Sequence, residues 1–194
     1  MIGPGVVVLI VGPSGAGKDA IIREVGSRLA GNHRYVFPRR IITRTANAAE
    51  DHLTVTDAQF KAQLQQGAFA LHWEAHGLHY GIPAEIDDRV RDGSSVIFNA
   101  SRYILPLVRG RYANTATVLI DAPPAVRAQR LVLRDREQPE EIAIRLARAV
   151  AGVGDTEADL VIDNGGLLLD ATTTLVDWLL RRELNSMPLR AWTQ

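Results

Sequence analysis

The sequence predicts an α/β protein with a mostly parallel central sheet flanked by helices. Four apolar segments of strand length, at residues 6–11, 95–99, 117–121 and 160–163, alternate with segments whose apolar residues recur at helical spacing. Strands separated by helices pair in parallel, and helices then cover both faces of the sheet. Because ligands bind at the carboxyl ends of such strands, we expect the functional residues at that edge.

Composition narrows the class of protein. The chain has 194 residues, 46% hydrophobic and 23% charged, which fits one globular domain over residues 1–194. Its formal net charge is zero, so we expect neither a nucleic-acid partner nor a membrane partner. The absence of cysteine excludes disulfides, thiolate nucleophiles and cysteine-ligated zinc. We expect a cytoplasmic protein; the sequence leaves its oligomeric state open, a homodimer included.

The first apolar segment leads into a predicted phosphate-binding loop. Residues 6–11 form the strand, residues 20–29 the helix, and the loop between them reads Gly12-Pro13-Ser14-Gly15-Ala16-Gly17-Lys18-Asp19. In this G-x-x-x-x-G-K pattern backbone N–H groups surround phosphate oxygens, and Lys18 reaches the β- and γ-phosphates. These residues are our candidates for binding ATP. Asp19 stands where a Ser or Thr usually binds Mg²⁺, and its carboxylate could bind that ion directly or through water.

The remaining elements follow from turn and capping signals. After an interrupted extended segment at 35–43 and a loop at 46–51, Thr56 and Gln59 form a capping box that opens a helix to about residue 66. Strands at 69–75 and 78–81 flank a turn at His76-Gly77, and helices are predicted at 84–91, 101–109, 123–134, 139–150 and 167–183. Residues 185–194 read as a tail. Residues 46–82 break the strand–helix rhythm, which suggests an inserted subdomain for a second substrate.

Several motifs resemble those of guanylate kinases. They are the phosphate loop, Thr43-Arg44, the segment 69–81 ending in His79-Tyr80-Gly81, and Arg145-Leu146. The resemblance implies a P-loop kinase fold with the acceptor-binding insertion at 46–82, a lid at 134–140, and phosphoryl transfer from ATP. Four positions depart from that family: Leu71 and Ile82 replace residues that hold the guanine base, Asn47 lies near a missing phosphate arginine, and Asn99 replaces an aspartate. Such a site reads guanine poorly.

A second family matches these departures. Gly12 to Asp19, Ile42-Thr43-Arg44, Glu50-Asp51-His52 and residues 69–83 are similar to the ribose 1,5-bisphosphate phosphokinases. In that family Asp19 is the expected residue of the loop. The resemblance implies ATP-dependent conversion of ribose 1,5-bisphosphate to 5-phosphoribosyl 1-diphosphate and ADP, in bacterial phosphonate breakdown. A guanylate or other nucleoside monophosphate kinase, and a non-catalytic guanylate-kinase-like binding module, are the alternatives.

Roles for individual residues follow from the motifs and the resemblance. Lys18, Arg134 and Arg145 are the candidate catalytic residues, with Arg136 and Asn164 at the nucleotide. Arg44, Tyr80, Glu74 and Asn99 are the candidate acceptor-binding residues, and Asp19 is the candidate Mg²⁺ ligand. Arg39 and Arg40 could contact a phosphate or could equally be exposed at the start of a strand. Glu74 and Glu50-Asp51 could bind ribose hydroxyls or a metal, or could equally be solvated loop carboxylates. His72, His76 and His79 would suit a metal on a helix, but the predicted hairpin argues against it.

Overall fold

A five-stranded parallel sheet forms the centre of the protein. The computed structural model describes residues 1–44, 52–75, 77–133 and 157–186. The central sheet has the order β2-β7-β1-β8-β9, and each neighbouring pair is parallel. Its strands are β1 (Ile2–Val11), β2 (Tyr35–Val36), β7 (Ser95–Asn99), β8 (Tyr112–Asp121) and β9 (Leu160–Asp163). The predicted α/β class with a mostly parallel central sheet is therefore confirmed.

A smaller sheet of four strands is built from the part of the chain that follows β2. It has the order β4-β3-β6-β5, with β3 (Arg40–Ile42), β4 (His52–Thr54), β5 (Phe69–Ala75) and β6 (Leu78–Pro83). Strand β3 pairs parallel with β4 and antiparallel with β6, and β5 with β6 forms an antiparallel hairpin. The sheet includes β3, so it begins at Arg40, upstream of the predicted insertion at 46–82.

Helices cover both faces of the central sheet. The helices of the described residues are α1 (Lys18–Arg28), α2 (Asp57–Gln65), α3 (Ile86–Arg91), α4 (Leu105–Arg111), α5 (Pro124–Val132) and α6 (Leu168–Ser186), with a short 3-10 helix at Arg102–Ile104. Of these, α2 lies against the smaller sheet, where Phe60 stacks on Phe69 and His79. Alternate residues of β1 enter two apolar cores. Val7 and Leu9 pack with α3 and α4, whereas Val8 and Ile10 pack with α1 and α6. None of the helices described is both long and apolar enough to cross a membrane.

Most element boundaries agree with the sequence predictions. Strands β7 and β9 have the predicted bounds, and the capping box of α2 is present, with Gln59 N donating to Thr56 Oγ1 at 3.2 Å and Thr56 N to Gln59 Oε1 at 2.8 Å. Four differences stand out: β1 begins at Ile2, α1 begins at Lys18, β8 begins at Tyr112 instead of residue 117, and β4 was not predicted. The predicted lid at 134–140, the helix at 139–150 and tail residues 187–194 lie outside the described residues.

Candidate active site

The phosphate loop lies between β1 and α1 and depends on glycine at two points. Gly12 has φ +143°, and a Cβ there would lie 2.0 Å from the carbonyl oxygen of Ile120. Gly17 has φ +90°, and a Cβ there would lie 2.3 Å from Nδ2 of Asn164. Both backbones are in the region that favours glycine and are packed against neighbouring strands. The loop therefore keeps its curvature because side chains are absent at these positions.

Lys18 and the first turn of α1 supply positive charge to the loop. Lys18 Nζ donates to the carbonyl oxygens of Gly12 at 2.8 Å and Pro13 at 2.9 Å, so the ammonium group lies against the loop. No side chain caps α1 at its N-cap residue, Gly17. The N–H groups of a helix's first turn have no partner within the helix, which makes this end an anion-binding site. Lys18, the loop and the helix end together suit a polyphosphate.

Residues of α5 and the end of β9 close the loop from the other side. Asn164 Nδ2 donates to the carbonyl oxygen of Ala16 at 2.8 Å, and Arg130 Nη2 donates to the carbonyl oxygen of Asn164 at 2.8 Å. Arg127 is buried, and its Nε donates to the carbonyl oxygen of Ala122 at 3.0 Å. Within the described part of the chain, three buried atoms here have no hydrogen-bond partner: Arg127 Nη1, Arg130 Nη1 and Asn164 Oδ1.

These atoms test whether the site fits a nucleotide. Buried polar atoms are normally hydrogen-bonded, so a group of them beside an anion-binding loop indicates that a ligand completes the bonding. Arg130 Nη1 would lie 3.6 Å from a Cβ on Gly17, which places this guanidinium next to the loop. Two guanidinium donors and one amide acceptor suit the phosphates and the polar edge of a nucleotide. The residues present therefore fit ATP, and they include the predicted Asn164.

Asp19 is the centre of a small polar cluster between the two sheets. Its Oδ1 accepts a hydrogen bond from Arg40 Nη2 at 3.0 Å and one from Asn99 Nδ2 at 2.9 Å. The side chains of Arg40 and Asp19 are only 12% and 23% exposed, so this ion pair is largely removed from water. The predicted Asp19 and Asn99 thus come together at the carboxyl ends of the parallel strands. Carboxylate and amide oxygens are ligands that Mg²⁺ takes in proteins, so this cluster fits the ion.

One face of the smaller sheet is directed toward Asp19. Residues directly opposite on antiparallel strands share a face, and here Ile42 pairs with Tyr80 and Tyr80 with Trp73. The rings of Trp73 and Tyr80 stack with centroids 5.2 Å apart. Arg40 is two residues from Ile42 and therefore lies on this face, which its contact with Asp19 places against the phosphate loop. We call this surface, formed by Arg40, Ile42, Trp73 and Tyr80, the acceptor face.

Arg44 is held close to the acceptor face by its preceding residue. Thr43 N donates to the carbonyl oxygen of His79 at 3.1 Å, and His79 N donates to Thr43 Oγ1 at 2.9 Å. These two bonds fix the chain beside β6 immediately before Arg44. The backbone at Arg44 therefore lies next to β6, the strand that carries Tyr80.

Glu74 lies on the other side of this sheet. It pairs with His79, and successive residues of a strand point to opposite faces, so Glu74 and Tyr80 are on opposite faces. His79 stacks on Phe60 of α2 with centroids 5.3 Å apart, which identifies the face that α2 covers. Glu74 itself is exposed. The structure therefore does not bring Glu74 together with the other predicted acceptor residues.

Leu71 and Ile82, the two positions at which the resemblance to guanylate kinases predicts base-holding residues, belong to the apolar core. They pair across β5 and β6, and their exposed fractions are 1% and 0%. They pack with Phe98 and Ile86 in one core cluster. Apolar, buried side chains therefore occupy both positions at which that resemblance predicts base-binding groups.

Some predicted residues lie outside the described part of the chain, and some residues of the site were not predicted. The predicted residues outside the described part are Arg134, Arg136, Arg145, Asn47, Glu50-Asp51 and His76. The residues missed are Arg127, Arg130 and Trp73, and the contact of Arg40 with Asp19. Alternation with Ile42 and Tyr80 could have placed Arg40 on the acceptor face, but no sequence signal pairs it with Asp19. Within the ranges described, no three His, Asp or Glu side chains form a metal-binding group.

Comparisons with known proteins agree with this geometry. The family model described as guanylate kinase matches residues 5–182. A ribose 1,5-bisphosphate phosphokinase PhnN of Bradyrhizobium diazoefficiens is 45% identical over 165 residues, covering 85% of this chain and 83% of that protein. The PhnN protein of Brucella melitensis biotype 2 is 49% identical over 164 residues, covering 84% of this chain and 85% of its own.

A solved structure extends the comparison to the fold. The crystal structure of guanylate kinase from Anaplasma phagocytophilum superposes with a TM-score of 0.63 at 20% identity, covering 94% of this chain and 88% of that one. At this identity the likeness concerns the fold, and it agrees with the parallel sheet and phosphate loop described above.

Proposed function

This chain belongs to the family of the ribose 1,5-bisphosphate phosphokinases, and we propose that it transfers the γ-phosphoryl group of ATP to the C1 phosphate of ribose 1,5-bisphosphate. The products are 5-phosphoribosyl 1-diphosphate and ADP. The identity of 45% and 49% to proteins of that name supports this assignment. The chain is thus a phosphotransferase. From its similarity to the ribose 1,5-bisphosphate phosphokinases we infer that it acts in phosphonate breakdown.

The observation that supports this proposal is the contrast between the acceptor face and the two positions at which the resemblance to guanylate kinases predicts base-binding groups. Those two positions are Leu71 and Ile82, which are both buried in the core. The acceptor face carries Arg40 and Tyr80 and has Arg44 close to it, and Arg40 Nη2 lies 3.0 Å from Oδ1 of Asp19 beside the phosphate loop. A site rich in phosphate-binding groups and poor in base-binding groups suits a sugar phosphate better than a nucleotide acceptor.

The chemistry requires no general base. A phosphate monoester has a second pKa of about 6, so the attacking oxygen on the C1 phosphate already carries its negative charge at neutral pH. That oxygen bonds to the γ-phosphorus as the bond from the γ-phosphorus to the β,γ-bridging oxygen breaks, and the electron pair leaves with ADP. The protein therefore has to align two phosphates and offset their charge.

The residues divide these tasks. The loop N–H groups and Lys18 hold the β- and γ-phosphates, while Arg127, Arg130 and Asn164 complete the nucleotide site. Arg44 and Tyr80 bind the acceptor. We propose Asp19 and Asn99 as Mg²⁺ ligands together with phosphate oxygens; when bound, the ion neutralises charge on the transferring group. Roles for Arg134, Arg136 and Arg145 in a lid over 134–140 remain predictions, as do a cytoplasmic location and the absence of a nucleic-acid partner.

An acceptor screen tests the proposal. Purified protein with ATP and Mg²⁺ is incubated separately with ribose 1,5-bisphosphate, ribose 5-phosphate and GMP, and ADP release is measured. We expect turnover with the bisphosphate, little with the other two acceptors, and turnover lowered by about 10²- to 10³-fold in Lys18→Ala. Preferential turnover of GMP would overturn the acceptor assignment, and nucleotide binding without turnover of any acceptor would overturn the enzyme assignment.

A further inference from the structure

Arg40 connects the donor and acceptor halves of the site through its ion pair with Asp19. It lies on the acceptor face, in the same strand as Ile42, yet its guanidinium contacts Oδ1 of Asp19, the residue that follows Lys18 in the phosphate loop. The two residues come from different elements, β3 and α1. Any event that changes the charge at Asp19 therefore acts directly on a cation of the acceptor face.

In the proposed reaction the carboxylate of Asp19 interacts with two cations, Mg²⁺ and the guanidinium of Arg40. Under the function proposed above it is a ligand of Mg²⁺, and in the present structure it is the partner of Arg40. Both cations are attracted to one carboxylate, and each lowers the affinity of that carboxylate for the other by electrostatic repulsion. Asn99 is an amide and adds no second negative charge to the cluster. Binding of Mg²⁺ with ATP therefore weakens the pair between Asp19 and Arg40.

When Asp19 is withdrawn, the guanidinium of Arg40 loses its anionic partner. The side chain of Arg40 is 12% exposed, and leaving a largely buried charge unpaired costs free energy. A doubly charged phosphate is the strongest replacement, because the planar guanidinium can donate two parallel hydrogen bonds to it. Tyr80 pairs with Ile42, two residues along β3 from Arg40, and so lies on the same face as Arg40. The acceptor face is where such a phosphate arrives.

We propose that Arg40 exchanges Asp19 for a phosphate of the acceptor when Mg·ATP binds, so that loading of the donor site creates the acceptor site. This inference rests on the proposed function and deepens it, because it makes Arg40 a catalytic residue that contacts the acceptor phosphate. The exchange makes binding of the acceptor depend on binding of the donor. Before the donor is bound, Asp19 occupies Arg40 and the acceptor binds weakly; once the donor is bound, the acceptor is captured beside the γ-phosphate.

Calorimetric titration with ribose 1,5-bisphosphate tests the exchange without turnover. The acceptor is titrated into the protein alone, and into the protein with Mg²⁺ and the non-hydrolysable β,γ-imido analogue of ATP. For the wild type we expect acceptor affinity to rise by about 5- to 150-fold in the second state, the usual range of coupling between two sites. Arg40→Gln should abolish that rise. Its folding is checked by its thermal unfolding transition.

Two further variants make the test specific. Asp19→Asn removes the charge that holds Arg40, so we expect the protein without nucleotide to bind the acceptor more tightly than the wild type does, with little further gain from the analogue. Arg39→Gln is the matched control, because the neighbouring Arg39 donates from Nη2 to the carbonyl oxygen of His52 at 3.3 Å. It should keep the wild-type rise.

The outcomes separate this inference from the function beneath it. An unchanged rise in Arg40→Gln, or an unchanged nucleotide-free affinity in Asp19→Asn, would overturn the exchange while leaving the reaction in place. A wild type that binds the bisphosphate in neither state would overturn the proposed function together with the exchange.

Discussion

Asn164, at the end of the last strand, donates from Nδ2 to the carbonyl oxygen of Ala16 at 2.8 Å, although the two residues are 148 positions apart in the sequence. This bond joins β9 to the phosphate loop, and the exposed fraction of Asn164 is 2%. The loop is therefore shaped from both sides, by the strand that precedes it and by a residue from the other end of the fold.

Removal of the Asn164 amide should loosen the loop. We expect Asn164→Ala to lower the free energy of unfolding by about 1–3 kcal/mol, since it leaves a buried carbonyl without its donor. It should also raise the KM for ATP. Thermal unfolding and steady-state kinetics measure the two effects. Asn114→Ala is the control, because Asn114 Nδ2 makes the same kind of bond to the carbonyl oxygen of Pro4 at 2.8 Å, in an exposed position; its KM for ATP should not change.

Lys18 should matter to the reaction far more than to the fold. We expect Lys18→Ala to lower kcat by about 10²- to 10³-fold, the usual effect of deleting one donor to a developing charge. Its partners include the carbonyl oxygens of Gly12 and Pro13, and these bonds are only part-buried, so water can replace the ammonium group and thermal stability should change less than in Asn164→Ala. Lys61 is the only other lysine and is exposed on α2, so Lys61→Ala should behave as the wild type. Equal losses in both variants would contradict the role of Lys18.

Gly17 should not tolerate a side chain. In Gly17→Ala the methyl group would meet Asn164 Nδ2 at 2.3 Å with φ at +90°, and such backbone strain costs about 1–3 kcal/mol. We expect lower stability and loss of ATP binding, measured by unfolding and by titration. At Gly31 a Cβ would meet nothing within 4 Å, so Gly31→Ala should bind ATP normally. Normal ATP binding by Gly17→Ala would show that the loop does not need this conformation.

The two faces of the smaller sheet should differ in acceptor binding. We expect Tyr80→Phe to raise the KM for ribose 1,5-bisphosphate by about tenfold, since a hydrogen bond to a charged group contributes about 1.5 kcal/mol. Glu74→Gln should leave that KM unchanged, because Glu74 is on the opposite face. Kinetics at saturating ATP compare the two variants. A larger rise of the KM in Glu74→Gln than in Tyr80→Phe would place the acceptor on the face that α2 covers, which contradicts this prediction.

Tyr112 should make the fold sensitive to alkaline pH. It is buried, its hydroxyl donates to Asp87 Oδ1 at 2.7 Å, and burial followed by this bond raises its pKa above the ordinary value. Above a pH of about 10 the unfolded chain releases the tyrosine proton while the folded chain retains it, so stability falls as pH rises. Tyr112→Phe should make this fall shallower and, at neutral pH, cost about 1.5–3 kcal/mol.

Denaturant unfolding between neutral pH and pH 11 measures this effect. Tyr103→Phe serves as the control, since Tyr103 is 80% exposed and its loss should change neither the stability nor its slope with pH. An alkaline slope that is the same in Tyr112→Phe and in the wild type would remove Tyr112 as its source.

The sequence predicted those parts of the fold that depend on local signals. Strands β7 and β9 have the predicted bounds because turn residues delimit their apolar runs, and Thr56 with Gln59 marks the start of α2. Strand β4 was missed because it has three residues and exists through its pairing with β3. The side of the sheet on which Glu74 lies also needed the register of the hairpin, which residue spacing alone does not fix.

The site shows the same division. The phosphate loop is contiguous, so Lys18 and Asp19 could be identified from their pattern. Arg40 could not be assigned to Asp19, because they lie 21 positions apart and meet only when the smaller sheet is placed against the central one. Arg130 and Arg127 likewise resemble surface arginines of a helix until α5 is placed beside the loop.

The nature of the product tests the account most directly. Phosphorus-31 NMR of a reaction containing the protein, ATP, Mg²⁺ and ribose 1,5-bisphosphate follows every phosphate at once. We predict that the C1 monoester signal is replaced by two coupled signals of a diphosphate, in step with ADP, while the signal of the 5-phosphate stays a monoester. ATP consumption with both monoester signals intact would contradict the account.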